Sequence, residues 1–111
     1  MKYIFLIIIT SILPFLSYSQ SGIIKGTVKD KLTNEAIIGA NVVLVGTESG
    51  TSTDIDGNFI IERINPGIYN IQVSYLGYET VSQYEIEIQG IRPTMLNFEL
   101  SENAKQLDEI V

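Results

Sequence analysis

The sequence predicts an all-β fold, a seven-stranded antiparallel β-sandwich, preceded by a signal-peptide helix that is not part of the sandwich. In four segments apolar and polar residues alternate, as expected of strands with one buried and one solvated face. Turn-forming residues recur about every 8–12 residues, a spacing typical of sandwiches and small barrels. The mature part of the chain shows no helical periodicity, which disfavours folds built from alternating strands and helices.

Composition excludes several kinds of chemistry. The 111 residues suit one small domain, and they include no cysteine and no histidine. The chain therefore has no disulfide or thiolate, and it lacks the usual general base and zinc ligand. Its formal net charge is −6, without clustered lysines or arginines, which argues against binding nucleic acid or anionic lipid. We expect no catalytic residue, no cofactor, no metal and no nucleic-acid partner.

Residues 1–19 have the features of a secretory signal peptide. Lys2 supplies the positive charge, and the apolar stretch Ile4–Leu16 would span only ~20 Å as a helix, against ~30 Å of hydrocarbon. Small residues before the cut predict cleavage between Ser19 and Gln20. A buried N-terminal helix is the alternative. The prediction is an exported chain, periplasmic or secreted, without membrane insertion by this segment.

The centre of the mature domain is predicted as strand, loop, short strand and tight turn. Ala40–Val45 is rich in β-branched apolar residues, which predicts a strand buried on both faces. Gly50–Thr53 predicts a short edge strand. Asp54, Asp56 and Gly57 predict a tight turn, because aspartate accepts nearby backbone N–H groups and glycine adopts a positive φ at little steric cost.

Further strands and turns follow from the same signals. The other predicted strands are Ile23–Asp30, Asn58–Glu62, Tyr69–Tyr75, Tyr78–Ile88 and Leu96–Leu100. Pro66 presets its φ and Gly67 is expected to permit the reversal before the third of these strands, while Gly77 ends that strand. Residues 90–93 predict another turn.

Aromatic residues at inward-alternating positions are predicted to form much of the core. Phe59 and Tyr69 belong to this group, and Tyr84 alternates in phase with Ile86 and Ile88. The alternative is that the tyrosines are exposed, in which case they could stack on sugar rings.

The sequence contains no complete motif for a catalytic or ligand-binding site. Asp54–Gly57 is similar to part of a calcium-binding loop. An EF-hand loop has glycine at its position 6 and glutamate at its position 12, but if Gly57 takes position 6, position 12 is Arg63. A calcium turn of another kind is the alternative to a hairpin turn. Gly46–Thr53 lacks the lysine of a phosphate-binding loop. Glu85 and Glu87 share a strand face and are interpreted as solvated surface rather than an acid/base pair. The chain is predicted not to be an enzyme.

An ordered set of motifs carries a family resemblance across residues 22–100. The set is Gly26-x-Val28-x-Asp30, Gly39-Ala40-x-Val42, Gly46-Thr47, Gly50-Thr51-x-Thr53-Asp54-x-x-Gly57-x-Phe59, Pro66-Gly67-x-Tyr69 and Ser74-Tyr75-x-Gly77-Tyr78. It resembles the carboxypeptidase-regulatory-like domain, a transthyretin-like Greek-key sandwich. Such domains follow the signal peptide of many TonB-dependent outer-membrane receptors of the Bacteroidetes, including SusC-like glycan importers. The resemblance implies a non-catalytic module on the periplasmic side of the outer membrane.

The C-terminal residues carry a second resemblance. We expect a signal peptide at 1–19, the sandwich at 20–100 and a polar linker at 101–111. The linker ends in Leu107, Asp108, Glu109, Ile110 and Val111, similar to the segment identified as the TonB box in those receptors. An extended, unpaired segment can add as a strand to a partner's sheet.

The resemblance also implies partners. They are a TonB-like energy-coupling protein, or the plug and barrel of the same receptor, and a glycan-binding lipoprotein as a further partner. The alternatives are a stand-alone secreted module, either carbohydrate-binding-like or adhesive, and a structural spacer. A row of exposed aromatic side chains on one face would favour the carbohydrate hypothesis. Tandem copies would favour the spacer, and the chain shows no internal repeat.

Overall fold

The computed structural model describes residues 20–103, which form seven strands and no helix. The strands are β1 (Gly22–Asp30), β2 (Asn41–Leu44), β3 (Gly50–Ser52), β4 (Asn58–Ile64), β5 (Gly67–Ser74), β6 (Val81–Ile88) and β7 (Thr94–Leu100). Over this range no helix has the length and hydrophobicity needed to span a membrane. The predicted signal peptide, including Ser19 of its cleavage site, and the predicted partner-binding segment Leu107–Val111 lie outside the described residues.

The strands form two sheets, so the predicted all-β sandwich is confirmed. One sheet has the order β4-β1-β7 and the other the order β3-β2-β5-β6. All pairs are antiparallel except β1 and β7, which run parallel from the Ile24–Thr94 pair to the Asp30–Leu100 pair. This pair departs from the fully antiparallel prediction. Alternation along each strand shows which face is buried, but it contains no information on the direction of a distant partner.

The core between the sheets is largely aliphatic. Phe59 and Phe98 are its aromatic members, with ring centroids 6.1 Å apart. The buried hydrophobic residues are Ile24, Val28, Ile37, Ala40, Val42, Leu44, Phe59, Ile61, Ile64, Ile71, Val73, Ile86, Ile88, Phe98 and Leu100. Their period of two on β1 and β7 follows the predicted alternation, and on β4 it holds for Phe59 and Ile61 but is interrupted before Ile64.

The prediction that the central strand is buried on both faces is wrong. Val42 and Leu44 point into the core, whereas Val43 and Val45 are 40% and 48% exposed. Within residues 20–103 the four-stranded sheet is covered on one side only, because the three-stranded sheet is the one layer of this range that packs against it. A run of β-branched residues indicates a strand but does not show whether a second layer covers it.

The prediction that the tyrosines fill the core is also wrong. Tyr84 is 69% exposed, and Tyr69 is only half-buried. Tyr69 pairs with Ile86 and Ile71 pairs with Gln83, so two residues of β6 stand opposite Asn70. This is a β-bulge, and its second residue, Glu85, has a left-handed φ of 55°. The extra residue reverses the inward–outward phase of β6, which turns Tyr84 outward.

Candidate functional site at the chain exit

The three residues that follow β7 pair with a loop of the sandwich. Residues 101–103 run antiparallel to residues 77–79 in the loop between β5 and β6. The contacts are a hydrogen bond from Glu79 N to Ser101 O (2.8 Å), one from Asn103 N to Gly77 O (2.8 Å) and a bridge between Tyr78 and Glu102. The first residues of the predicted linker are therefore held against the sandwich, and this segment, residues 101–103, is the chain exit.

Tyr78 connects this exit to the end of β1. Its hydroxyl donates a hydrogen bond to Oδ2 of Asp30 at 2.7 Å. Oδ1 of the same carboxylate accepts the backbone N–H groups of Leu32 (2.8 Å) and Thr33 (3.1 Å). Asp30 is only 6% exposed, and a carboxylate withdrawn from water in this way needs such donors. One buried side chain therefore organises the loop after β1 and the loop beside the exit.

The loop carrying Tyr78 has a defined shape. Gly77 has a left-handed φ of 88°, which lets the chain reverse before Tyr78. Tyr78 N donates to Tyr75 O at 3.1 Å, and the two tyrosine rings lie 5.9 Å apart. Leu76 at the tip is 87% exposed. The loop thus packs on itself while it holds residues 101–103.

The contact between the hydroxyl and the carboxylate shifts the pKa values of both groups. The hydrogen bond from Tyr78, followed by those from the N–H groups of Thr33 and Leu32, lowers the pKa of Asp30 below its usual 3.8. The same bond, together with burial and nearby negative charge, raises the pKa of Tyr78 from 10.0 to about 12. At neutral pH Asp30 is therefore charged and Tyr78 neutral, which is the pairing that the hydrogen bond requires.

Removing the Tyr78 hydroxyl is expected to weaken the fold and change its alkaline unfolding. Tyr78→Phe should lower the free energy of unfolding by about 1–2 kcal/mol at pH 7. Because the pKa of Tyr78 is raised on folding, the wild-type contribution is complete below pH 10.0 and is lost as the pH rises towards about 12. Urea unfolding followed by circular dichroism at several pH values measures both effects.

Tyr84→Phe is the matched control for this prediction, because its hydroxyl is on a side chain that is 69% exposed. It should keep the wild-type stability and the wild-type slope between pH 10 and 12. The lowered pKa of Asp30 affects the free energy of unfolding at acidic pH instead. Its contribution is complete above about pH 4 and is lost as the pH falls further. Identical alkaline profiles for wild type and Tyr78→Phe would contradict the role assigned to the hydroxyl.

The predicted aspartate turn lies between β3 and β4. Oδ1 of Asp54 accepts the N–H groups of Asp56 and Asn58, both at 2.9 Å, and Gly57 has a φ of 78°. Gly57 O in turn accepts Val28 N at 2.8 Å, which ties the turn to β1. Within residues 20–103 no three acidic side chains come together to hold a metal ion. The turn is accounted for by its backbone hydrogen bonds.

The turn around Pro66 does not use a left-handed glycine. Gly67 has no positive φ and begins β5 directly. The left-handed residue of this region is Arg63, with a φ of 60°, at the irregularity near the end of β4. The expectation that Gly67 supplies the reversal is therefore wrong.

Between residues 20 and 103 the exposed aromatic side chains do not form the row that the carbohydrate hypothesis requires. Tyr84 lies on the outer side of β6, whereas Tyr75 lies after β5 with its ring against Tyr78. The sequence also gave no sign that Asp30 and Tyr78 meet, since 48 residues separate them. Both belong to the motif set that carries the family resemblance, which is the signal that could have drawn attention to them.

Comparison with known proteins agrees with the geometry. Residues 24–111 match the CarboxypepD_reg-like domain family. The chain is similar to the TonB-dependent receptor SusC of Bacteroides thetaiotaomicron, with 36% identity over 110 residues that cover 99% of this chain and 10% of that receptor. It is similar to the TonB-dependent receptor P3 of Formosa agariphila, with 32% identity over 93 residues, 84% of this chain and 9% of that receptor. The chain thus spans about a tenth of the length of these curated relatives.

Among solved structures, a chain of a type II cohesin–X-dockerin complex from Acetivibrio cellulolyticus has a similar fold. The TM-score is 0.60 at 20% identity, over 69% of this chain and 52% of that chain. At this identity the similarity concerns the sandwich fold alone.

Proposed function

The chain belongs to the CarboxypepD_reg-like domain family, and on that premise we propose that it is the periplasmic N-terminal domain of a TonB-dependent outer-membrane receptor. The observation that supports this most strongly is the similarity to SusC along 99% of the chain. In this role the sandwich is a non-catalytic module that spaces and presents the segment on its C-terminal side during nutrient import. A glycan-binding lipoprotein stays a predicted further partner.

The partner-binding element of this proposal is Leu107–Val111. A TonB-like energy-coupling protein would capture this segment as an added strand, through backbone hydrogen bonds. The fixed exit supports such a role, because residues 101–103 are hydrogen-bonded to the loop at 77–79. The following residues, 104–111, can reach at most about 28 Å from that point when fully extended. The sandwich therefore limits the volume in which a partner can meet the segment.

In-cell crosslinking tests the receptor and the partner in one experiment. A photo-crosslinking amino acid at Asp108 is expected to join the native protein to TonB, and an antibody against residues 20–100 should detect the product. Ile110→Pro should reduce the product by about tenfold or more, because proline removes a backbone donor from the added strand. Ile110→Val is the matched control and should crosslink like the native segment.

Two results would contradict the proposal, and each concerns a different part of it. If the antibody marks only a small soluble periplasmic protein, the receptor assignment fails. If it marks a large outer-membrane protein whose TonB crosslink from position 108 survives Ile110→Pro undiminished, the receptor assignment stands and the role of this segment fails.

A further inference from the structure

The four sheet edges differ in how well they could accept another strand. β3 has three residues, which is short for an edge that must bind a partner. β6 is interrupted by its bulge at Glu85, and β4 by the irregularity at Arg63, both with left-handed φ values. Bulges of this kind protect edges from pairing. β7 has no such feature: its seven residues pair with β1 in unbroken register, and none has a positive φ.

The direction of the free backbone groups on β7 follows from the hydrogen bonds at its end. Leu100 O accepts Lys31 N at 2.9 Å, so Leu100 faces the β1 side. N–H and C=O groups of successive residues point to opposite sides of a strand. Met95, Asn97 and Glu99 therefore direct theirs to the open side, where residues 20–103 offer them no strand. Residues 101–103 use this same side to bind the loop at 77–79.

We propose that β7 pairs with β7 of a second copy of this chain. The two strands run antiparallel about a two-fold axis through Asn97, and the two three-stranded sheets become one continuous sheet. In this register Met95 of each copy lies opposite Glu99 of the other. Each opposed pair exchanges both of its backbone hydrogen bonds, so every outward group of Met95, Asn97 and Glu99 is used.

The length of the free edge fits β7 itself. The open edge of β7 ends on its C-terminal side at Ser101, because the backbone N–H of Glu79 already bonds to the outward carbonyl oxygen of Ser101. In the proposed register Thr94 of the second copy reaches Leu100, and the chain before it bends away at Pro93 in the turn that precedes β7. A strand that continued straight past this point would collide with the loop at 77–79. The edge therefore accepts a strand of about the length of β7.

The charges on the outer face also suit a second copy. Lys29 is the neighbour of Glu99, and Lys25 is the neighbour of Met95, across the β1–β7 pair. In the proposed pairing each Glu99 lies between Lys29 of its own copy and Met95 of the other, with Lys25 beyond. No two acidic side chains of β7 face each other, which matters in a chain with a net charge of −6. On the inner face the half-buried Leu96 lies opposite Phe98 of the second copy, which adds apolar contact.

Sedimentation equilibrium and disulfide trapping test this pairing on the whole exported chain, purified from the periplasm of an expression host. The wild type should show a concentration-dependent dimer. Asn97→Pro removes an N–H that β1 does not use, and Asn97→Lys places two cations on the axis; each should weaken the dimer about tenfold or more. Circular dichroism shows whether these variants keep the sandwich, and Asn97→Lys keeps the backbone donor if the proline variant unfolds.

The sequence contains no cysteine, so a disulfide can form only between the cysteines that are introduced. Asn97→Cys should form a disulfide-linked dimer on mild oxidation, because opposed residues lie about 5.5 Å apart between their Cα atoms. Met95→Cys and Glu99→Cys should crosslink when the two variants are mixed. Gln72→Cys is the control, exposed on a central strand of the other sheet.

Three results would overturn the proposal. They are a wild type that stays monomeric at millimolar concentration, an Asn97→Cys variant that crosslinks no faster than Gln72→Cys, and a dimer that disappears when Leu107–Val111 is deleted. The last result would make the C-terminal segment the occupant of the edge. The receptor assignment rests on the similarity to SusC and not on the pairing of β7, so none of these outcomes changes it.

Discussion

Replacing Gly26 with alanine is expected to lower the free energy of unfolding by about 3 kcal/mol or more, because the new methyl group has no space. A Cβ at Gly26 would overlap the carbonyl oxygen of Leu96 and lie 2.6 Å from its carbonyl carbon. It would also meet Cε1 of Phe59 at 3.0 Å. Leu96 is the partner of Gly26 in the parallel β1–β7 pair, so its backbone cannot move away without loss of strand pairing. Urea unfolding measures the effect.

Gly67→Ala is the matched control for this substitution. Its Cβ would meet only the ring of Tyr69, at 3.5 Å or more, and its φ is not positive. It should leave the free energy of unfolding unchanged or raise it by about 0.5 kcal/mol, because alanine restricts the unfolded chain. Equal effects of the two substitutions would contradict the close approach of β1 and β7.

Phe59→Ala is expected to lower the free energy of unfolding by about 3–5 kcal/mol. Phe59 is 5% exposed and packs against Phe98, the other aromatic residue of the core. Its loss removes buried apolar area and leaves a cavity between the sheets. Since a domain of this size has a stability of ~5–10 kcal/mol, the variant should be close to unfolding at 25 °C. The urea midpoint, followed by far-ultraviolet circular dichroism, measures the change.

Ile60→Ala provides the comparison on the same strand. Ile60 is the next residue of β4, points outward and is 41% exposed. It should cost about 1 kcal/mol or less, because a partly solvated side chain leaves no cavity. A midpoint shift as large as that of Phe59→Ala would show that the inward and outward faces of β4 are assigned incorrectly.

Local pattern was sufficient to predict the strands and the family. Alternation identified β1 and β7 and their buried faces, because a strand with one solvated side needs a period of two. Asp54 and Gly57 predicted the turn before β4, because aspartate and glycine act there through bonds to residues close in the chain. The ordered motifs of such turns then carried the resemblance to the CarboxypepD_reg-like family that the comparison shows.

The site at the chain exit could not be predicted in this way. Asp30 and Tyr78 are 48 residues apart, and neither has a local feature that indicates the hydrogen bond. The pairing of residues 101–103 with the loop at 77–79 joins segments that each have the composition of a linker or a turn. Such contacts depend on where two sheets place their ends, which only the assembled sandwich decides.

The sequence by itself determined the secondary structure, the family and the absence of cysteine and histidine chemistry, because these depend on residue type and short-range spacing. Tertiary structure alone decided that β1 and β7 run parallel, that the bulge at Glu85 turns Tyr84 outward and that no strand among the described residues pairs with the outer edge of β7. The physical reason is the same in each case. Strand direction, register and edge position follow from pairing between residues distant in the chain, and one extra residue in a strand exchanges its buried and solvated faces.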